Sequence, residues 1–89
     1  MATYSVHILP SVRRDLTALP RLVKRRVGRA IGSLAHEPRP RGAVLLSGSS
    51  DERIWRIRVG DYRVLYQVRD KELVVLVIRV AHRREAYRP

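Results

Sequence analysis

The chain has 89 residues, which is enough for one folded domain with a single core but not for two. Its 19 Lys and Arg against 8 Asp and Glu give a net charge of +11. This excess favours a polyanionic partner or an acidic protein over a merely solvated surface. Cysteine is absent, so a disulfide framework, a thiolate nucleophile and a cysteine-based zinc site are excluded.

No apolar run approaches the roughly 20 residues that a membrane-spanning helix needs. The start of the chain, MATYSVHILP, lacks the charged beginning and long apolar stretch of a secretory signal. We therefore expect a soluble, cytoplasmic protein that has no membrane partner.

The N-terminal part of the chain predicts one strand and two helices. Residues 3–9 alternate in polarity and stop at Pro10, which indicates a short strand. Ser11 is placed to cap a first helix, and Pro20 lies where a second helix begins. The apolar stripe of the second helix consists of Val23, Val27, Ala30, Ile31 and Leu34.

The C-terminal part predicts a sheet. The prolines of residues 36–42 end the second helix, and a basic loop follows. Residues 55–59 and 62–69 alternate in polarity around a Gly60-Asp61 turn. Residues 73–80 form an apolar run, as in a central strand covered on both faces. The fold class is therefore α+β with the order β-α-α-β-β-β, followed from His82 by a short helix or coil.

Arginine recurs through the predicted sheet and the terminal segment. Arg56 and Arg58 lie two positions apart on one strand, so both emerge on one face about 7 Å apart. Arg63 joins that face if the next strand pairs alongside. Guanidinium groups bind phosphate through a rigid fork of donors, so this face suits RNA. A single such arginine is usually only a solvated charge, but three like charges on one face repel each other without serving structure.

The terminal segment carries further polar groups. The imidazole of His82 both accepts and donates protons near neutral pH. Arg83 and Tyr87 share a face if the segment is helical, and the tyrosine can stack on a base or bind a 2′-hydroxyl. His82 as a plain surface residue and Tyr87 as a packing anchor are equally compatible with the sequence.

The runs WRIRVGDYRVLYQV and VAHRREAYR together resemble RelE toxins of the RelE/ParE superfamily. The resemblance covers nearly the whole chain as a single domain, residues 1–89. It implies a toxin of a type II toxin-antitoxin module that cleaves messenger RNA in the ribosomal A site and inhibits translation. It also implies a cognate, acidic, RelB-like antitoxin as a partner beside messenger RNA and the ribosome, with no cofactor or metal.

The resemblance assigns site residues by position. The family's basic pair before the turn corresponds to Arg56 and Arg58, and its next arginine to Arg63. The C-terminal basic residue and tyrosine correspond to Arg83 and Tyr87. The chain departs from the family in having arginines where lysines stand on the first of these strands, and a guanidinium is a poor general base. His82 is therefore the expected proton-transfer group, while the sequence leaves open which of His82, Arg83 and Tyr87 protonates the departing oxygen.

The implied reaction is attack of a ribose 2′-hydroxyl on the adjacent phosphate, which leaves a cyclic phosphate and a free 5′-hydroxyl. The expected contacts to RNA or the ribosome beyond the site are Lys24, Arg25, Arg26, Arg29, Arg84 and Arg88. Two alternatives stay open at this point. One is a ParE-like inhibitor that binds DNA gyrase, and the other is a degenerate member that binds RNA or antitoxin without cleaving.

Overall fold

The structure, a computed structural model, describes residues 3–48, 53–82 and 84. Its helices are α1 (Pro10–Thr17) and α2 (Arg21–Ser33). Its strands are β1 (Ser5–Ile8), β2 (Val44–Ser47), β3 (Ile54–Val59), β4 (Tyr62–Arg69) and β5 (Val74–His82). They form one five-stranded sheet in the order β1-β5-β4-β3-β2. Only the β1–β5 pair among these is parallel, so the predicted α+β class with a mainly antiparallel sheet is confirmed.

The core lies between the helices and one face of the sheet. Alternation along the strands sends every second side chain to that face, as the sequence pattern predicts. The stripe of α2 supplies Val27, Ile31 and Leu34, of which Leu34 is completely buried. The central strand β4 supplies Val64 and Tyr66, both inaccessible to solvent. Tyr66 also donates a hydrogen bond of 2.7 Å from its hydroxyl to the carbonyl oxygen of Pro38, so its polar end is satisfied.

The β3–β4 hairpin is closed by the predicted two-residue turn. Val59 pairs with Tyr62, which leaves Gly60 and Asp61 as the turn residues. Gly60 has a φ of +59°. Asp61 does not have a positive φ, since Leu73 is the only described non-glycine residue that does. A positive φ at the first turn position alone is the pattern of a type II′ turn, which prefers glycine there. The hairpin therefore holds the register of its arginines firmly.

The structure corrects three predictions. Residues 44–47 were expected to belong to a loop, because they show no alternation, but they form the edge strand β2. The side chains of Val44, Leu45 and Leu46 on this strand are 41–47% exposed. Helix α1 begins at Pro10 after Leu9, so Ser11 lies inside the first turn and is not its cap. Strand β5 continues through His82, which therefore does not begin a terminal helix or coil. The rest of that predicted segment, except Arg84, lies outside the described residues.

The sequence predicted a strand covered on both faces at residues 73–80, but β5 is covered on one face only by the described elements. Val75 and Val77 are fully buried under the helices, while Val74, Leu76 and Ile78 on the other face are only half-buried. Arg79 interrupts the apolar run and is exposed. None of the described helices or strands covers the face of the sheet opposite the helices, which we call the open face.

Candidate nucleic-acid interface

The open face of the sheet carries two rows of side chains with four arginines. In one row Arg58 of β3 lies directly opposite Arg63 of β4. In the next row Leu65 lies between Arg56 of β3 and Arg79 of β5. Given the spacing of residues and strands, the four Cα atoms fall within a patch roughly 10 Å across. We call these four residues the arginine face, and the predicted clustering of Arg56, Arg58 and Arg63 is confirmed.

The arginines of this face differ in exposure. Arg58 and Arg79 are exposed, whereas Arg56 and Arg63 are half-buried. The Nε atoms of Arg56 and Arg63 have almost no accessible surface, so the inner sides of these guanidinium groups lie against the protein. Such side chains lose less conformational freedom when they bind an anion than fully mobile ones do. The face therefore combines two half-buried and two exposed cations.

Arg79 was not among the predicted site residues, because the apolar run around it was interpreted as a fully covered strand. A usable signal was present in the sequence. A charge inside an otherwise apolar strand must point to the solvated face, and strand pairing then decides its neighbours. The pairing of Arg79 with Leu65 could not be read from the sequence, because a register shift between Leu65 and Tyr66 sets it.

His82 lies on the other side of the sheet from the arginine face. It pairs with Tyr62, whose side chain packs against the core, and the two rings meet edge to face with centroids 5.2 Å apart. The Nδ1 atom of His82 accepts a hydrogen bond of 3.3 Å from the backbone N–H of Arg84. Arg84 is exposed, and Arg83, Tyr87 and Arg88 lie outside the described residues.

A second group of cations lies on α2, away from the arginine face. Lys24, Arg25, Arg26 and Arg29 are all exposed. Arg25, Arg26 and Arg29 line a shallow cleft together with Leu22, whose side chain is 70% exposed. Predicted binding residues on this helix are thus free of core contacts and available to a partner.

Comparison with known proteins decides the family. A model of the family described as the ParE toxin of the type II toxin-antitoxin system, parDE, matches residues 6–87. Toxin RelG of Mycobacterium tuberculosis is 37% identical over 89 residues, which covers 96% of this chain and 97% of RelG. The chain belongs to the RelE/ParE superfamily of type II toxin-antitoxin toxins.

Solved structures agree with the RelE/ParE assignment. A chain of the archaeal RelE–RelB complex from Pyrococcus horikoshii OT3 matches with a TM-score of 0.83 and 36% identity, over 91% of this toxin and 96% of that chain. A chain of the toxin-antitoxin complex RelBE2 from Mycobacterium tuberculosis matches with a TM-score of 0.76 and 33% identity, over 92% and 93% of the two chains. The predicted resemblance to this superfamily is confirmed.

A polar network holds the loop between α2 and β2 of the toxin against the sheet. Arg39 donates two hydrogen bonds to the carboxylate of Asp70, at 3.2 and 2.7 Å, and Tyr4 donates a third at 2.7 Å. The guanidinium of Arg39 also lies 5.4 Å from the ring centre of Trp55. Burial raises the pKa of the nearby Tyr66 to about 12. These contacts tie the loop after α2 to the turn between β4 and β5.

The network makes stability depend on pH. Hydrogen bonds from Arg39 and then from Tyr4 hold the pKa of Asp70 below its usual value. A carboxyl group with a lowered folded-state pKa stabilises above its unfolded-state pKa, and the stabilisation is lost as pH falls through the folded-state value. Asp70→Asn should lower the free energy of unfolding by less than about 1 kcal/mol near neutral pH, because the pair is exposed. The difference should shrink as pH falls through the lowered pKa of Asp70, because the carboxyl group then becomes protonated.

Urea unfolding of the toxin and of Asp70→Asn across that pH range measures this difference. Glu72→Gln is the matched control, because its oxygen lies 3.9 Å from Arg69 in a weaker, exposed ion pair. A difference that grows as pH falls would contradict the assigned direction of the Asp70 pKa.

Within the described part of the toxin, no group of three or more His, Asp or Glu side chains is arranged to hold a metal ion. The same residues contain no helix that is long and apolar enough to cross a membrane.

Proposed function

We propose that this toxin is a metal-independent endoribonuclease that cleaves messenger RNA in the ribosomal A site. The observation that carries the proposal is the arginine face, where Arg58 and Arg63 stand directly opposite each other. Like charges in that position disfavour sheet pairing, so their placement supports a role of this surface in binding an anion. Phosphate fits, since each guanidinium offers paired donors in a planar fork. RNA cleavage uses such a site in both binding and catalysis.

In the proposed reaction the ribose 2′-oxygen bonds to the adjacent phosphorus and the bond from phosphorus to the 5′-oxygen breaks. The 2′-hydroxyl loses its proton, the departing 5′-oxygen gains one, and a 2′,3′-cyclic phosphate remains. Negative charge on the phosphate oxygens grows in the transition state. Arg56, Arg58 and Arg63, with Arg83 from the terminal segment, stabilise that charge more strongly than the charge of the ground state.

Proton transfer in this scheme falls to His82, because the arginines stay protonated. Strand β1 pairs with β5 only from Val74 to Val77, so no described strand covers the outer edge of β5 at His82. RNA that crosses this edge meets Arg79 on one side of the sheet and His82 on the other. Tyr87 would orient the 2′-hydroxyl or stack on a base.

The test is primer extension on a defined message in a purified translation system, with a ribosome-free control. We expect cuts within A-site codons only when ribosomes are present. His82→Ala should lower the cleavage rate by about 100- to 10,000-fold, the usual range for loss of a general acid or base. His36→Ala is the matched control, since His36 is exposed in the turn after α2. Cleavage by His82→Ala at the wild-type rate would remove His82 from the mechanism, and an intact message with wild-type toxin would overturn the nuclease.

A second function is favoured by the family match itself, which is to a model described as ParE toxin. A ParE-like toxin would bind DNA gyrase and cleave no RNA. The arginine face argues against this alternative, because gyrase binding gives no reason to concentrate like charges on one sheet surface. Supercoiling by purified gyrase in the presence of the toxin separates the two: inhibition with intact message supports gyrase, and the reverse supports RNA cleavage.

The partners follow from the same surfaces. RelE–RelB complexes are among the structures with this fold, and we propose an acidic, RelB-like antitoxin that covers part of the basic surface. The cations of α2, Lys24, Arg25, Arg26 and Arg29, are proposed to contact ribosomal RNA, with Arg84 and Arg88 as further contacts. Electrostatic binding of this kind weakens steeply with salt.

A further inference from the structure

A cleft lies at the corner where the turn between α1 and α2 meets the end of β5. Its volume is about 300 Å³, at the lower end of the range for small-ligand pockets. Asp15 and Leu19 line it from the helical side, and Tyr62, Arg79 and His82 line it from the sheet. The cleft exists because β1 ends its pairing at Val77, which leaves the last residues of β5 next to α1 instead of next to a strand.

Two features of the cleft suit a nucleobase. The rings of Tyr62 and His82 stand at 89° to each other, so a planar ligand that stacks on one ring presents its edge to the other. Aromatic side chains of these types are the usual stacking partners of unpaired RNA bases. Arg79 borders this cleft at the edge of β5, while its side chain belongs to the arginine face on the other side of the sheet. RNA whose base enters the cleft therefore passes the edge of β5 before its phosphate reaches that guanidinium.

The carboxylate of Asp15 narrows the choice of base. An ionised carboxylate only accepts hydrogen bonds, through two oxygens. Guanine presents two adjacent N–H donors on its Watson–Crick edge, whereas the other RNA bases present donors beside acceptors or a single donor between acceptors. A carboxylate repels phosphate, so a cleft shaped only for the RNA backbone would not carry one. Asp15 fits a donor edge, and guanine supplies the best match.

We propose that this cleft is a guanine-specific subsite, in which Asp15 accepts hydrogen bonds from the base and Tyr62 or His82 stacks on it. The subsite rests on the proposed RNA-cleaving function, to which it adds a base preference. Asp15 is a specificity-determining residue and takes no part in bond breaking.

The test is titration of the ribosome-free toxin with GMP, AMP, CMP and UMP. Calorimetry measures the affinity, and the NMR resonances of the His82 imidazole report the position of binding. His7 and His36 are exposed elsewhere in the chain and serve as internal references for the position of binding. We expect GMP to bind about tenfold more tightly than the other three, as for a bidentate contact to a base edge. Asp15→Asn should abolish this preference, while Glu37→Gln, an exposed carboxylate in the loop after α2, should keep it.

Equal affinities for the four nucleotides, no binding, or a guanine preference that survives Asp15→Asn would each overturn the subsite. Movement of the His7 or His36 resonances in place of those of His82 would do the same. Message cleavage is measured separately from nucleotide binding. A guanine preference without message cleavage would refute the proposed nuclease function but would still support a guanine-binding cleft. Cleavage with equal nucleotide affinities would refute the subsite alone.

Discussion

Replacing Arg58 and Arg63 together by alanine should lower the rate of message cleavage by about 100- to 1,000-fold or more, the range seen when charge-stabilising donors are removed from a transition state. The same double substitution should leave thermal stability unchanged or raise it, because it removes a cross-strand pair of like charges. Loss of activity with a gain of stability is the signature of residues kept for function. Rates from the purified translation system and melting curves by circular dichroism measure both effects.

The matched control for this double variant removes two positive charges from the other end of the sheet. Arg69→Ala with Lys71→Ala does so at exposed positions, beyond the arginine face on β4 and in the following turn. It should keep most of the cleavage activity. Equal losses in the two double variants would show that net charge matters and that the arginine face does not. Replacement of Arg58 and Arg63 by lysine should retain part of the activity, since charge is kept while the bidentate fork is lost.

Leu34→Ala should lower the free energy of unfolding by about 3 kcal/mol, through lost burial and the cavity left behind. Leu34 is completely buried at the end of α2 and belongs to the core cluster. For a domain of this size such a loss corresponds to a fall in melting temperature of roughly 12–24 °C. Urea and thermal unfolding followed by circular dichroism give both quantities.

Leu22→Ala is the control on the same helix, because its side chain is 70% exposed. Its effect should stay within about 0.5 kcal/mol. If the two substitutions destabilise equally, the packing of α2 on the sheet is not as described. If Leu22→Ala weakens ribosome-dependent cleavage without changing stability, the exposed face of α2 has a role in binding, as proposed for its cations.

Superfamily membership leaves two modes of action open, and the distribution of charge on this toxin supports the proposed RNA cleavage. Four arginines share one open sheet face, and a separate set of cations occupies α2. A site that handles one scissile phosphate needs the first set, and a large RNA partner uses the second. The proposed RNA-cleaving function on the ribosome would use both sets of cations.

The sequence by itself determined the fold class and most of the arginine face. Alternation in residues 55–59 and 62–69 assigned each side chain to a face, and Gly60-Asp61 indicated a turn between them, because both are local properties of the chain. The stripe of α2 was equally readable, since helical periodicity alone defines which residues are buried. The sequence therefore placed Arg56 and Arg58 on one face, and the strand pairing in the structure adds Arg63 to it.

Only the tertiary structure decided the rest. Strand β2 forms because β3 offers it a partner, and four residues without alternation carry no local signal. A register shift in β5 places Arg79 on the arginine face and His82 on the opposite face, and β5 runs two residues further than its apolar pattern. Asp15 lines the same cleft as Tyr62 and His82, which lie 47 and 67 positions later in the sequence. Such contacts depend on how elements pack, which no local pattern of residue types records.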